Sequence, residues 1–100
     1  MPSMSQAPSS ASQHRSVELA GWARVQTVYA FCRARAIDRI IEAEQSHSAM
    51  VARQRRDLHI LETMYGKARH NDVVASCAVT YFRMTAMRDA RHPDFLGEWI

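Results

Sequence analysis

The sequence predicts an all-α protein of two or three long helices, which form a helical hairpin or bundle after a disordered N-terminal tail. Three Gly and three Pro punctuate the 100 residues, too few for the many turns of a β fold, while 47% of the residues are hydrophobic and can supply a core. Apolar residues also recur at intervals of three and four over long stretches, which is the period of a helix face.

Residues 1–15 are expected to form the disordered tail, and residues 16–100 the helical interaction domain. The tail consists mainly of Ser, Ala, Gln and Pro, and such a segment buries too little apolar surface to offset the entropy lost on ordering. It lacks the basic start and apolar run of a secretory signal peptide. No run of about 18 apolar residues follows, so we expect a cytoplasmic protein that does not cross a membrane.

The first helix is predicted to begin after Ser16, a suitable N-cap, with Glu18 in its first turn. Two outcomes are open for its other end. Ser46 or Ser48 could cap a second helix, although no Gly, Pro or Asn marks a turn there. Alternatively, one unbroken helix over residues 17–65 would be about 73 Å long and would require a partner helix. A break near Ser46 is the preferred interpretation.

Residues 49–65 form a clearly amphipathic segment. An apolar arc occupies one side of this helix, and Arg53, Arg55 and Arg56 lie on the opposite side. Gly66 is expected to close the helix, because glycine readily takes the left-handed conformation that follows a helix end.

The last helix is predicted to run from a cap at Asn71 or Asp72 to about Arg91, shortly before Pro93. Its sequence over residues 72–87, DVVASCAVTYFRMTAM, is apolar around most of the circumference. A small chain has few other helices to cover it, and burying each exposed Val, Phe or Met is worth about 1.5 to 3 kcal/mol. We therefore expect another chain to cover this helix, either a partner protein or the second subunit of a homodimer.

The expected contact surface consists of bulky side chains on this last helix and in the C-terminal segment HPDFLGEWI. That segment either folds back over the helix or anchors a partner, since Trp and Phe contribute strongly to interfaces. The predicted partner or dimer contacts are Val79, Tyr81, Phe82, Met84, Phe95 and Trp99.

The sequence contains no arrangement typical of an enzyme, a cofactor site or a metal site. It has no Gly-rich phosphate loop, no nucleophile elbow, and no Cys-x-x-Cys or His-x-x-x-His pair. Cys32 and Cys77 lie on predicted apolar faces and are expected to be a reduced, buried pair. We therefore expect a non-enzymatic protein that holds no cofactor and no metal.

Nucleic-acid binding by a basic helix is an alternative. Arg53, Arg55 and Arg56 spread across one helix face and could contact phosphates, and the net charge of the chain is +3. The helix that follows, however, offers almost no polar side chains with which to read bases. Nucleic acid is therefore the less favoured partner.

A polar tail, long helices, Arg in place of Lys, and the strongly apolar segment DVVASCAVTYFRM occur together in this chain. Over residues 16–100 this combination resembles the small helical quorum-sensing anti-activators of bacteria. Proteins of that kind bind a LuxR-type transcription factor and block its dimerisation or DNA binding, so the resemblance implies a small regulatory inhibitor of transcription. Secretion chaperones and export-apparatus subunits have a similar build and provide a second alternative.

Overall fold

The computed structural model describes the backbone from Ser10 to Ile100 and the side chains from Gly21 to Ile100. Within this range the chain forms three α-helices, and the part described contains no strand, which confirms the predicted all-α class. The helices are α1 (Ser10–Gln45), α2 (Val51–Ala68) and α3 (Asp72–Ala86), followed by 3₁₀ turns at Met87–Asp89 and Gly97–Trp99.

The first helix begins earlier than its sequence signals indicate, at Ser10 and not after the predicted cap Ser16. Residues 1–9 lie outside the described range. The tail predicted for residues 1–15 falls mainly on that part of the chain, so it stays a prediction.

The chain turns between α1 and α2, which confirms the break expected near Ser46. The His47 N–H donates to the Glu44 carbonyl (3.2 Å) and the Ser48 N–H to the Ala43 carbonyl (2.8 Å), which is the Schellman pattern of a helix C-terminus. His47 takes the left-handed position of this motif, with φ at 53°. Glycine usually fills that position, so no residue type at this point marks the turn.

The second helix continues through Gly66 to Ala68, so the prediction that Gly66 closes it is wrong. None of the glycines in the described chain has a positive φ, and Gly66 takes ordinary helical geometry. The helix ends just beyond it in a tight turn, in which the His70 N–H donates to the Lys67 carbonyl (3.2 Å).

Asn71 caps α3, as the sequence indicates. Its backbone is extended, with φ at −152°, and its side-chain oxygen accepts hydrogen bonds from the N–H groups of Val73 (2.9 Å) and Val74 (3.1 Å). These bonds satisfy donors that a helix start otherwise leaves unpaired. The helix ends at Ala86, earlier than the predicted end near Arg91, and tightens there into the first 3₁₀ turn.

The core lies where the three helices meet. Phe82 of α3 and Val28 of α1 are its most deeply buried large side chains. Small side chains also contribute, and they let neighbouring helices approach closely. The other buried members of the cluster are Val25, Phe31, Cys32, Ala36, Leu61, Ala68, Ala78, Ala86 and Trp99.

The C-terminal segment folds back over the helices, which is one of the two outcomes that the sequence left open. The ring of Trp99 lies against Phe31 of α1, with 5.1 Å between ring centroids, and against Phe95 at 5.2 Å. Arg83 holds the backbone of this segment, donating from Nε to the Trp99 carbonyl (3.1 Å) and from Nη2 to the Ile100 carbonyl (3.2 Å). The segment is therefore attached to both α1 and α3.

An ion-pair cluster joins the turn after α3 to α1. Asp89, in the first 3₁₀ turn, pairs with Arg39 and lies 3.8 Å from Nε of Arg35. Arg35 also pairs with Asp38 along α1 (2.8 Å). Because Asp89, Arg39 and Arg35 are largely shielded from solvent, this cluster is screened less than exposed ion pairs are.

The molecule is elongated, because α1 is longer than the helices that pack on it. Its radius of gyration is 18.0 Å, against about 13 Å for a compact chain of this length. The first helix has 36 residues and α2 has 18, which correspond to lengths of about 54 Å and about 27 Å.

Replacing the central core side chain tests this packing. Phe82→Ala should lower the free energy of unfolding by about 3 to 5 kcal/mol, because the ring is 0% exposed and lies against Tyr29. Urea denaturation followed by circular dichroism measures the change. The control is Gln26→Ala, at an exposed position of α1, with an expected effect within about 0.5 kcal/mol. Equal effects of the two substitutions would contradict the assigned core.

A substitution at the His47 turn should stabilise the protein, whereas Phe82→Ala destabilises it. His47→Gly should raise the free energy of unfolding by about 1 kcal/mol, because glycine takes a positive φ without the steric cost that a Cβ atom adds. His47→Ala removes the same ring but keeps the Cβ atom, so it should give no such gain. Thermal and urea denaturation compare the three proteins. A glycine variant no more stable than the alanine variant would rule out the left-handed turn.

Candidate functional site

The third helix presents one face to the core and the opposite face to solvent. Ala78, Phe82 and Ala86 are buried on the inner face. The Phe82 ring lies 5.5 Å from that of Tyr29, and its backbone carbonyl accepts a hydrogen bond from the Cys32 thiol (3.1 Å). The first two helices therefore cover one side of an apolar helix and leave its other side open.

The outer face of α3 exposes a stripe of apolar and weakly polar side chains. Along the stripe the residues are spaced alternately by four and three, which is the period along which two helices pack together. Val73 and Met84 are the most exposed of its large apolar side chains, at 74% and 68%, and Tyr81 borders the stripe. We call this surface the α3 seam, and it consists of Val73, Cys77, Thr80, Tyr81, Met84 and Met87.

The α3 seam has the chemistry of a docking surface. Its side chains are mainly methyl, thioether and aromatic groups, and it contains no carboxylate, imidazole or amine that could serve in acid–base catalysis. The hydroxyl of Thr80 already donates to the Ser76 carbonyl (3.4 Å), so Thr80 can be covered without losing a hydrogen bond. Contiguous exposed apolar surface of this kind typically marks an interaction site.

The structure corrects the expected contact surface at two positions. Phe82 and Trp99, predicted to contact a partner, are 0% and 6% exposed and lie in the core of the chain itself. Phe82 lies on the inner face of α3, and Trp99 lies in the folded-back C-terminal segment. Val79 and Phe95 are partly buried and also pack against the core.

The remaining predicted contacts, Tyr81 and Met84, are exposed on the α3 seam. Their role in binding stays a prediction. The sequence reasoning missed Val73, Cys77 and Met87, which extend the same stripe toward both ends of the helix. Their alternating spacing of four and three was the signal that could have found them.

The predicted phosphate contacts lie on the solvent face of α2. Arg53, Arg55 and Arg56 are all exposed, but Arg55 forms an ion pair with Glu44 of α1. Arg53 and Arg56 have no carboxylate partner among the described side chains. The basic surface thus amounts to a patch of two available charges.

The two cysteines occupy opposite environments, which corrects the expectation of a buried pair. Cys32 is buried in the core, and this burial raises the pKa of its thiol to about 12. The Cys32 thiol is therefore protonated and unreactive near neutral pH. Cys77 is a free thiol exposed on the α3 seam.

A groove of about 760 Å³ runs between α1, α3 and the C-terminal segment. Apolar side chains such as Trp22 and Val79 line it, and its charged lining residues carry both signs, Arg24 with Asp72 and Glu98 among them. Because the charges are mixed, the groove does not favour a ligand of one sign.

Among the side chains that the structure describes, no group of three His, Cys, Asp or Glu is placed to hold a metal ion. None of the described helices combines the length and the apolar character needed to cross a bilayer. No protein-family model, curated protein or solved structure matches the chain. Function has therefore to be inferred from the surfaces of the molecule itself.

The contrast between the two thiols is directly measurable. In dilute native protein, a disulfide reagent such as Ellman's should react rapidly with Cys77 and reach Cys32 only after unfolding in urea, because Cys32 is buried and protonated. Cys77→Ser should remove the rapid reaction, and Cys32→Ser the urea-dependent one. Rapid reaction of both thiols in the native protein would contradict the assigned burial.

Proposed function

We propose that this chain is a small non-enzymatic binding module that docks on another protein through the α3 seam. The observation that carries the proposal is the exposure of Val73 and Met84, at 74% and 68%, on a helix whose opposite face is fully packed. Covering an apolar side chain of this size contributes about 1.5 to 3 kcal/mol. Several such residues on one stripe contribute together, and their sum opposes the entropy lost on association.

The partner surface that best fits the seam is an apolar face of another helix. The alternating four and three spacing matches a stripe of the same period, so side chains of the two helices can interdigitate. Because the seam carries no charged side chain, binding through it should depend little on salt. A helix that another protein uses for its own assembly is therefore the proposed target.

The resemblance to quorum-sensing anti-activators suggests that the target is a transcription factor. We propose a regulatory inhibitor, acting in the cytoplasm, that covers an apolar surface which a transcription factor needs for dimerisation or DNA binding. Inhibition would be steric, because occupation of that surface alone prevents the target from assembling. In the absence of a target, the proposed homodimer uses the same α3 seam.

Adding a charge to the seam tests the proposal. Met84→Glu should weaken binding of the partner at least about tenfold, because the contact loses buried apolar area and would have to desolvate a carboxylate. Gln26→Glu is the matched control, since it adds the same charge at an exposed position of α1. Each protein is immobilised and exposed to native cell extract, and the retained proteins are quantified by mass spectrometry.

Both variants should keep the helical circular dichroism of the parent, because both positions are exposed. The proposal requires proteins that the parent and Gln26→Glu retain and Met84→Glu loses, and the identity of those proteins distinguishes a transcription regulator from a secretion substrate. Arg53→Glu combined with Arg56→Glu tests the basic patch. If only this double variant loses binding, and that binding falls steeply with salt, nucleic acid is the partner and the seam is not the functional surface.

A further inference from the structure

We infer that two copies of this chain pair through their α3 seams in antiparallel orientation, so that Val73 of each copy packs against Met84 of the other. This inference rests on the proposed function, because it assigns an occupant to the same seam. Three features of α3 support it: the spacing of the seam, the charges beside it, and the side chains at its centre.

The spacing of the seam is self-complementary. The midpoint between Val73 and Met84 along α3 is also the midpoint between Cys77 and Thr80. A two-fold axis through that point therefore brings Val73 against Met84 and Cys77 against Thr80, and repeats each contact by symmetry. One arrangement thus covers the stripe from Val73 to Met84, and Met87 lies one turn beyond the contact.

The charges beside the seam favour the antiparallel direction. Asp72 lies in the first turn of α3 and Arg83 in the last, about three full turns apart, so both flank the same side of the seam. An antiparallel two-fold pair places each Asp72 near the Arg83 of the other copy. A parallel pair in register places the two copies of this flank on opposite sides of the contact, so neither Asp72 reaches an Arg83 of the other copy. Opposed helix dipoles favour the same direction.

Arg83 is able to serve both contacts. Its Nε and Nη2 atoms donate to the carbonyls of Trp99 and Ile100, which leaves Nη1 to reach the carboxylate of the other copy. The two hydrogen bonds also hold the guanidinium in place beforehand, so that less side-chain entropy is lost when the ion pair forms.

The side chains at the centre of the seam allow close approach. Cys77 and Thr80 are small, and the Thr80 hydroxyl is already bonded within the helix, so neither leaves an unsatisfied group when covered. Val73 and Met84, the larger side chains, stand toward the ends of the contact. No charged residue lies on the central line of the stripe between them.

Single-cysteine variants test the pairing and its direction. Val73→Cys and Met84→Cys are each made in a Cys77→Ser background, and disulfide formation is measured under mild copper–phenanthroline oxidation. An equimolar mixture should form a disulfide between the two variants at least about tenfold faster than either variant forms one alone. In the proposed pair, Val73 lies about 16 Å along the helix axis from Val73 of the other copy.

Three controls accompany this experiment. Cys77→Ser alone retains only the buried Cys32 and should form no dimer. Gln26→Cys in the same background, mixed with Met84→Cys, reports random collision at an exposed position. Sedimentation of the parent at micromolar concentration should show a species of twice the 11.4 kDa chain mass, and Met84→Glu should require at least about tenfold more protein to form it.

The inference is overturned if Val73→Cys forms a disulfide with itself as fast as the mixture does, since that result requires a parallel or random contact. It is also overturned if the parent sediments as a monomer. If the parent is monomeric but Met84→Glu still loses proteins from the extract, only the self-pairing is wrong and the docking function stands. Failure of both experiments removes the seam as a binding surface altogether.

Discussion

The burial of Phe82 determines which surface this protein presents. Its ring is 0% exposed where the three helices meet, packed against Tyr29, and the Cys32 thiol donates to its carbonyl. In a helix each residue turns the chain by about 100°, so an inward Phe82 places Val73 and Met84 on the opposite side. The exposed seam is therefore a direct consequence of the core.

Polar contacts at the far end of α3 keep this orientation fixed. Arg83 donates two hydrogen bonds to the C-terminal backbone, and Asp89 pairs with Arg39 of α1 while lying near Arg35. A rotation of α3 that buried the seam would break these contacts and remove Phe82 from the core. These contacts therefore favour the packing in which one face of α3 stays exposed.

Local signals allowed much of the fold to be predicted from sequence, whereas burial could not be assigned in the same way. Asn71 marks its helix start because a cap is a contact between near neighbours. His47 shows the limit of this approach, since a residue other than glycine takes the left-handed turn. Phe82, predicted to contact a partner, is buried, because an apolar helix carries no periodic polar face to show which side α1 and α2 will cover. Trp99 is buried for a different reason, since the C-terminal segment folds back against Phe31 of α1.

A single seam that serves both a second copy and another protein makes the two complexes mutually exclusive. In the proposed homodimer the α3 seams cover each other, which removes an exposed apolar stripe that would otherwise favour aggregation. A target helix then binds only the monomeric fraction, so its apparent affinity falls in proportion to that fraction. Because higher protein concentration favours the dimer, the concentration of binding-competent monomer rises less than in proportion to the total concentration of the protein. Self-pairing through Val73 and Met84 would therefore make inhibition less steep in protein concentration than a monomeric inhibitor of equal intrinsic affinity.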